Sequence, residues 1–214
     1  KPLTESMSEI NYASSFLFSA ADECLKLSID HIDPNNTEKQ LRAYKVPFGV
    51  VACITPWNFP SAMLTRKIGP ALAVGNTILV KPSELTPLSA LAIAYLAHDI
   101  GIPPGVLNIV NGLNAKAISD ELLSNSLVRK LSFTGSTEVG KTIIERSNSH
   151  VTNLSLELGG HAPFIVCEDA DLDLALDAAI KSKFRNSGQT CISANRFYIH
   201  QHIHDKFVEG LKKR

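Results

Sequence analysis

Apolar residues recur at helical spacing over residues 5–27, at Ile10, Ala13, Phe16, Leu17 and Ala20, which predicts a helix there. Asp33-Pro34-Asn35-Asn36 breaks the pattern and reads as a turn. The stretch from Leu41 to Val46 alternates like an exposed strand. From Gly49 onward the pattern becomes regular. Apolar runs of strand length lie at Gly49–Ile54, Thr77–Val80, Val106–Val110, Val128–Phe133 and Leu154–Leu158. Helical stretches separate them, over 61–74, 87–100, 114–123 and 137–147. A second alternation follows: strand Pro163–Val166, helix 171–184, strand Arg196–His200 and a helix from about 203. This order predicts an α/β fold, a parallel sheet covered on both faces. Such sheets bind ligands beyond the carboxyl ends of their strands.

Composition narrows the classes. The 214 residues carry 21 basic and 21 acidic side chains, with 44% hydrophobic residues. That balance excludes a disordered chain. It leaves no basic surplus for nucleic-acid binding through counterion release. Four scattered cysteines without a CxxC spacing do not make a disulfide framework or a structural zinc site. No apolar run reaches the roughly 18 residues a membrane span needs, and no signal-peptide pattern opens the chain. These features point to the cytoplasm, with a mitochondrial location left open. The chain starts at Lys1-Pro2-Leu3 and stops inside a helical pattern at Arg214, which reads as a piece of a longer protein.

Several segments carry candidate chemistry. Gly135-Ser-Thr-Glu-Val-Gly140-Lys141-Thr142 satisfies the P-loop pattern between a strand and a helix, and Phe164 to Asp169 resembles a Walker-B strand. A P-loop NTPase is therefore a competing reading. Against it stand the lack of further loop glycines and the negative charge of Glu138. Either way, a strand-to-helix turn at Gly135-Ser136 offers free amides and a dipole to an anion such as a pyrophosphate. Cys191 follows the small polar turn Asn186-Ser187-Gly188-Gln189-Thr190, which suits an accessible thiol, although a lone cysteine is more often a small buried hydrophobe. Glu157 ends an apolar strand before Gly159-Gly160, a setting that would raise its pKa and make it a base; taken alone, it reads first as a strand-end ion-pair partner. Ile54-Thr55-Pro56-Trp57-Asn58-Phe59-Pro60 is a rigid turn whose Asn58 amide could hold an oxyanion, or a packed loop around a buried tryptophan. His200, His202 and His204 alternate, but the strand is expected to end near His200, and no metal site is expected.

Taken together, PWNFP at 56–60, KPSE at 81–84, FTGSTEVG at 133–140, ELGG at 157–160 and GQTC at 188–191 resemble the aldehyde dehydrogenase superfamily, in its order and at its spacings. The branch that the chain most resembles acts on succinate semialdehyde. The resemblance implies a Rossmann-like cofactor domain followed by the start of a catalytic domain. It makes Cys191 the nucleophile that forms a thiohemiacetal and then a thioester, and Glu157 the base that activates water. Asn58 becomes an oxyanion donor and Lys67 a proton-relay lysine. It assigns the cofactor, NAD or NADP, to Thr55, Pro56, Trp57, Lys81, Ser83, Glu84, Gly135, Ser136, Leu158 and Gly159. A carboxylate at Glu84 would repel a 2′-phosphate and so favours NAD. Arg66 and Arg185 become clamps for the far carboxylate of the substrate, a role that suits the planar guanidinium. His161 and Ser193 depart from common family residues. With Ser193 in place of a second cysteine, Cys191 has no neighbouring thiol to pair with.

The implied organisation is a helical part of the cofactor domain over 1–32, an oligomerisation strand region over 33–46, the NAD(P)-binding domain over 47–158, and the start of the catalytic domain over 159–214. The implied partners are a small aldehyde and further copies of the chain, as a homodimer or homotetramer, with no nucleic acid and no membrane. A non-catalytic cofactor-binding fragment stands as a further alternative.

Overall fold

Five apolar runs of the middle of the chain pair edge to edge in a computed structural model, which describes residues 1–28, 30–32 and 40–214. The chain divides into two compact units: Glu9–Glu157, and Leu158–Arg214 together with Lys1–Ser8.

The first unit is built on a five-stranded sheet. Its strands are β3 (Val50–Ile54), β4 (Thr77–Lys81), β5 (Leu107–Ile109), β6 (Val128–Gly135) and β7 (Asn153–Leu158), in the order β5-β4-β3-β6-β7. Pairings of β3 with β4 and β6, and of β4 with β5, are parallel. Helices α2 (Ala62–Ala73), α3 (Pro87–Asp99), α4 (Ala115–Ser124) and α5 (Thr137–Arg146) connect the strands. The central strands are short and apolar on both faces because helices cover both. Val51, Cys53, Ile78 and Val80 pack with Leu64 and Ile68 of α2 and Ala90 of α3. The first helix, α1 (Leu3–Cys24), sets Ala13 against Phe59 and Ala62. It approaches α2 closely at Gly69, where a Cβ would stand 3.2 Å from the Phe16 carbonyl oxygen.

The predicted exposed strand is shorter than its pattern. It covers Leu41–Ala43 (β2) and pairs antiparallel with β1 (Asp30–Ile32), a strand the pattern did not show. The turn expected at 33–36, and half of the region expected to join subunits, lie outside the described residues. Elsewhere the expected elements appear with ends moved by a few residues at most.

The second unit pairs β8 (Ala162–Val166) in parallel with β9 (Ala194–Ile199). Helices α6 (Leu172–Phe184) and α7 (His204–Lys213) pack on them through Val166, Leu176, Ala179 and Phe207. Asp171 caps α6, its carboxylate accepting from the Leu174 amide at 3.0 Å.

Candidate functional site

In the first unit three neighbouring parallel strands end at one edge. Ile54 stands beside Lys81 on β4 and beside Phe133 on β6, so the residues that follow these strands leave the sheet side by side. Thr55 is buried and its amide donates to the Lys81 carbonyl at 3.1 Å. Pro56 is half-buried. Trp57 is 42% exposed, which removes the reading of this loop as packing around a buried tryptophan. The Asn58 side-chain carbonyl accepts from the Phe59 amide at 3.1 Å, which orients the carboxamide.

Past β4, the buried Lys81 ammonium lies 2.6 Å from Glu84 Oε2. That hydrogen bond, with help from the backbone, holds the Glu84 carboxyl below its usual pKa. Ser83 is buried and its hydroxyl accepts from the Leu85 amide at 3.3 Å. Glu84 is thus half of an ion pair with Lys81. Past β6, Ser136 caps α5, its hydroxyl accepting from the Val139 amide at 3.3 Å. A Cβ at Gly135 would stand 2.4 Å from Phe133 Cζ, so the buried ring would have to shift to admit one.

A dinucleotide fits this edge. The Lys81–Glu84 pair offers a donor and an acceptor to ribose hydroxyls, and the start of α5 offers its dipole and amides to a pyrophosphate.

The P-loop reading fails on the same geometry. Only Ser136 separates β6 from α5, so no loop of amides exists to wrap a phosphate, and Lys141 is exposed one turn into the helix. The supposed Walker-B strand, β8, lies in a different sheet and pairs with β9.

A cavity of about 330 Å³ opens on one face of the same sheet. Arg66 and Lys67 are adjacent on α2, and a helix turns about 100° per residue, so their heads diverge. Lys67 is 8% exposed and donates to Ser132 Oγ at 2.9 Å. Burial pushes its pKa down to about 8, opposed by the neighbouring Cys53 and Glu157. Arg66 is half-exposed, with Nη2 3.7 Å from Glu157 Oε1 and its guanidinium 5.8 Å from the Phe16 ring. Burial pushes the Cys53 thiol up to about 11, against the charges of Lys67 and Lys130. Lys130 donates to Asn153 Oδ1 and Ser155 Oγ, both at 2.7 Å, and burial lowers its pKa. The Glu157 side chain is 59% exposed beside a guanidinium, which differs from the apolar setting expected of it.

Four residues here escaped the sequence reading: Cys53, Lys130, Ser132 and Glu9. Lys130 and Ser132 had a signal. Polar residues recur at every second position on β6 (Lys130, Ser132) and β7 (Ser155, Glu157), which marks one polar sheet face. Glu9 had none. It is 6% exposed and its carboxylate accepts from the amides of Ser61 at 2.8 Å and Ala62 at 3.3 Å, at the start of α2.

In the second unit the chain leaves α6 through left-handed backbone at Asn186 (φ 55°), Ser187 (φ 58°) and Gly188 (φ 76°). Only glycine adopts such angles without cost, and strain of this kind collects at functional sites. The turn is firmly held. Asn186 is 1% exposed, its amide donates to Glu5 Oε1 at 2.9 Å, and its side chain donates to the Gln189 carbonyl at 3.2 Å. Thr190 Oγ1 donates to the Arg185 carbonyl and Ser193 Oγ to the Lys183 carbonyl, both at 3.2 Å. Between these anchors Cys191 is exposed. Arg185 and Gly159 are also exposed, and Leu158 is half-buried. Cys191, Arg185, Leu158 and Gly159 thus belong to this unit, and the other candidate residues to the first.

A parallel sheet with an anion-ready carboxyl edge, and a separate unit presenting an exposed cysteine behind strained backbone, define a dinucleotide-type α/β chain with a thiol site. The chain belongs to the aldehyde dehydrogenase family, whose sequence pattern matches residues 1–214. It is 53% identical over 213 residues to the NADP(+) succinate-semialdehyde dehydrogenase of Escherichia coli, covering 100% of this chain and 44% of that protein. It is 54% identical over 211 residues to a glutarate-semialdehyde dehydrogenase of Pseudomonas putida, covering 99% of this chain and 44% of that protein. Its fold matches the crystal structure of a succinate-semialdehyde dehydrogenase from Burkholderia pseudomallei with a TM-score of 0.97, at 52% identity, over 100% of this chain and 44% of the other. The chain therefore spans less than half the length of these relatives.

Proposed function

We propose that this chain carries the cofactor edge and the nucleophile for NAD- or NADP-dependent oxidation of a small semialdehyde, with succinate semialdehyde the first choice and glutarate semialdehyde the nearest neighbour. The observation that carries the reading is the exposed Cys191 thiol held by left-handed backbone in a chain of this family. Cys191 Sγ attacks the aldehyde carbon as thiolate. The Asn58 amide and the Cys191 backbone N–H hold the developing oxyanion. When bound, the nicotinamide supplies the acceptor for the two electrons and the hydrogen lost from that carbon. Cys191 then holds the acyl group as a thioester. Glu157 takes a proton from the attacking water, and Lys67, whose pKa of about 8 lies near neutrality, relays protons. Arg66 and Arg185 pair with the distal carboxylate. Lys81, Ser83 and Glu84 hold the adenosine ribose. Ser136 and Gly135 take the pyrophosphate, and Thr55, Pro56, Trp57, Leu158 and Gly159 line the rest of the cofactor path. The Lys81–Glu84 pair leaves both cofactors admissible. The whole protein assembles as a homodimer or homotetramer.

The test is NAD(P)H absorbance with succinate semialdehyde, run on the full-length protein and on this chain. Cys191→Ala in the full-length protein abolishes oxidation, and the aldehyde protects Cys191 from iodoacetamide. Glu157→Gln spares the acylation burst and slows deacylation; equal loss of both steps refutes the base assignment. Dinucleotide binding without turnover by the full-length protein would support a purely binding role instead.

A further inference from the structure

We propose that Glu168, His200 and His202 form a site for a divalent transition-metal ion at the ends of β8 and β9. The sequence alone offered three alternating histidines and no carboxylate, and predicted no metal. The fold changes the donor set. Val166 and Ile199 are partners in the parallel register, so the residues just past them emerge side by side. The His200 amide donates to the Val166 carbonyl at 3.0 Å and the Ile203 amide to the His200 carbonyl at 3.1 Å, which fixes the turn. Glu168 is thereby set against both imidazoles. His202 Nδ1 lies 2.7 Å from Glu168 Oε1, and His200 Nε2 lies 4.0 Å from Oε2. One ligand atom from each of the three residues falls within 4.8 Å of the others. His204 is not part of the group: its Nδ1 pairs with Asp205 Oδ1 at 3.0 Å.

Two imidazoles and one carboxylate are a donor set for Zn²⁺, Ni²⁺ or Co²⁺ rather than for Mg²⁺ or Ca²⁺. Nitrogen and oxygen ligands about 2 Å from a shared tetrahedral ion stand about 3.3 Å apart. Small rotations of three exposed side chains reach that spacing, and water completes the shell. The proton balance is simple. In the metal-free site the His202 ring donates from Nδ1 to Glu168, and His200 Nδ1 accepts from the His202 amide at 3.4 Å. On ion binding each neutral ring keeps one proton, moved to the nitrogen that faces away from the ion, and the long contact to the amide is given up.

The experiment is Ni²⁺ titration by calorimetry at pH 7.5 on the full chain, its thiols first alkylated with iodoacetamide. One equivalent binds with micromolar affinity. His202→Ala and Glu168→Gln each weaken binding roughly tenfold or more, and His204→Ala leaves it unchanged. His202→Gln, which keeps a side chain of similar bulk, weakens it likewise and guards against a folding artefact. Absence of saturable binding overturns the proposal. So does affinity unchanged from the parent chain in Glu168→Gln and His202→Ala, or a loss in His204→Ala as large as theirs.

Discussion

Lys67→Met removes a buried ammonium while keeping most of its bulk. Burial lowers the pKa of Lys67 from 10.5 to about 8. At about 1.4 kcal/mol per unit, holding the head charged at neutral pH costs about 3 kcal/mol. The substitution also loses the hydrogen bond to Ser132, about 1 kcal/mol. The variant is therefore about 2 kcal/mol more stable than the parent chain at pH 7. The pH dependence separates causes. Below pH 8 Lys67 is protonated in both states and the cost is full. Between about 8 and 10.5 the unfolded chain binds a proton that the folded chain has released, so stability rises with pH. Cys53, raised from 9.0 to about 11 by burial, acts in the other direction. Between those values the unfolded thiol has ionised and the folded one has not, so stability falls. The parent chain gains stability from pH 8 to 9 and then levels off. Cys53→Ala lets the rise continue, and Lys67→Met abolishes it. Urea unfolding followed by the fluorescence of Trp57, the sole tryptophan, reads all three proteins from pH 7 to 10. A Lys67→Met chain less stable than its parent at pH 7 refutes the reasoning, because attraction to Glu157 would then outweigh burial.

Glu9→Ala leaves the Ser61 and Ala62 amides without their acceptor at the start of α2, and lowers stability by about 2–4 kcal/mol in the same urea assay; Glu9→Gln, which keeps an oxygen there, costs less. Gly135→Ala drives a methyl into the buried Phe133 ring and costs about 1–3 kcal/mol, with Phe133→Leu recovering part of the loss in the double variant. Gly188→Ala places a side chain at φ +76° and 3.3 Å from the Lys183 carbonyl, lowering thermal stability by about 1–2 kcal/mol and raising the iodoacetamide reactivity of Cys191 as the turn loosens.

The strand–helix order was legible because each parallel strand is a short apolar run buried on both faces, as at Val50–Ile54. Element ends were less so, since β6 runs on through Thr134 to Gly135 after its apolar pattern stops. Within the candidate site, the residues that leave strand ends could be named from motifs alone. Those that act across the fold could not. Glu9 meets Ser61 from 52 positions away, Lys67 meets Ser132 from 65, and Glu168 meets His202 from 34. Such pairings depend on register, and a local pattern carries no register. The P-loop match shows the converse. A motif complete in letters failed because the backbone between β6 and α5 is too short to be a loop.

The turn before Cys191 has a consequence for chemical synthesis. Three successive residues there share the dihedral sign that mirror-image amino acids prefer. A chain ligated from peptides with D-alanine at 188 keeps its turn, whereas L-alanine at the same atom count opposes it. The thiol's position is thus written in backbone handedness, and a single stereocentre is enough to edit it.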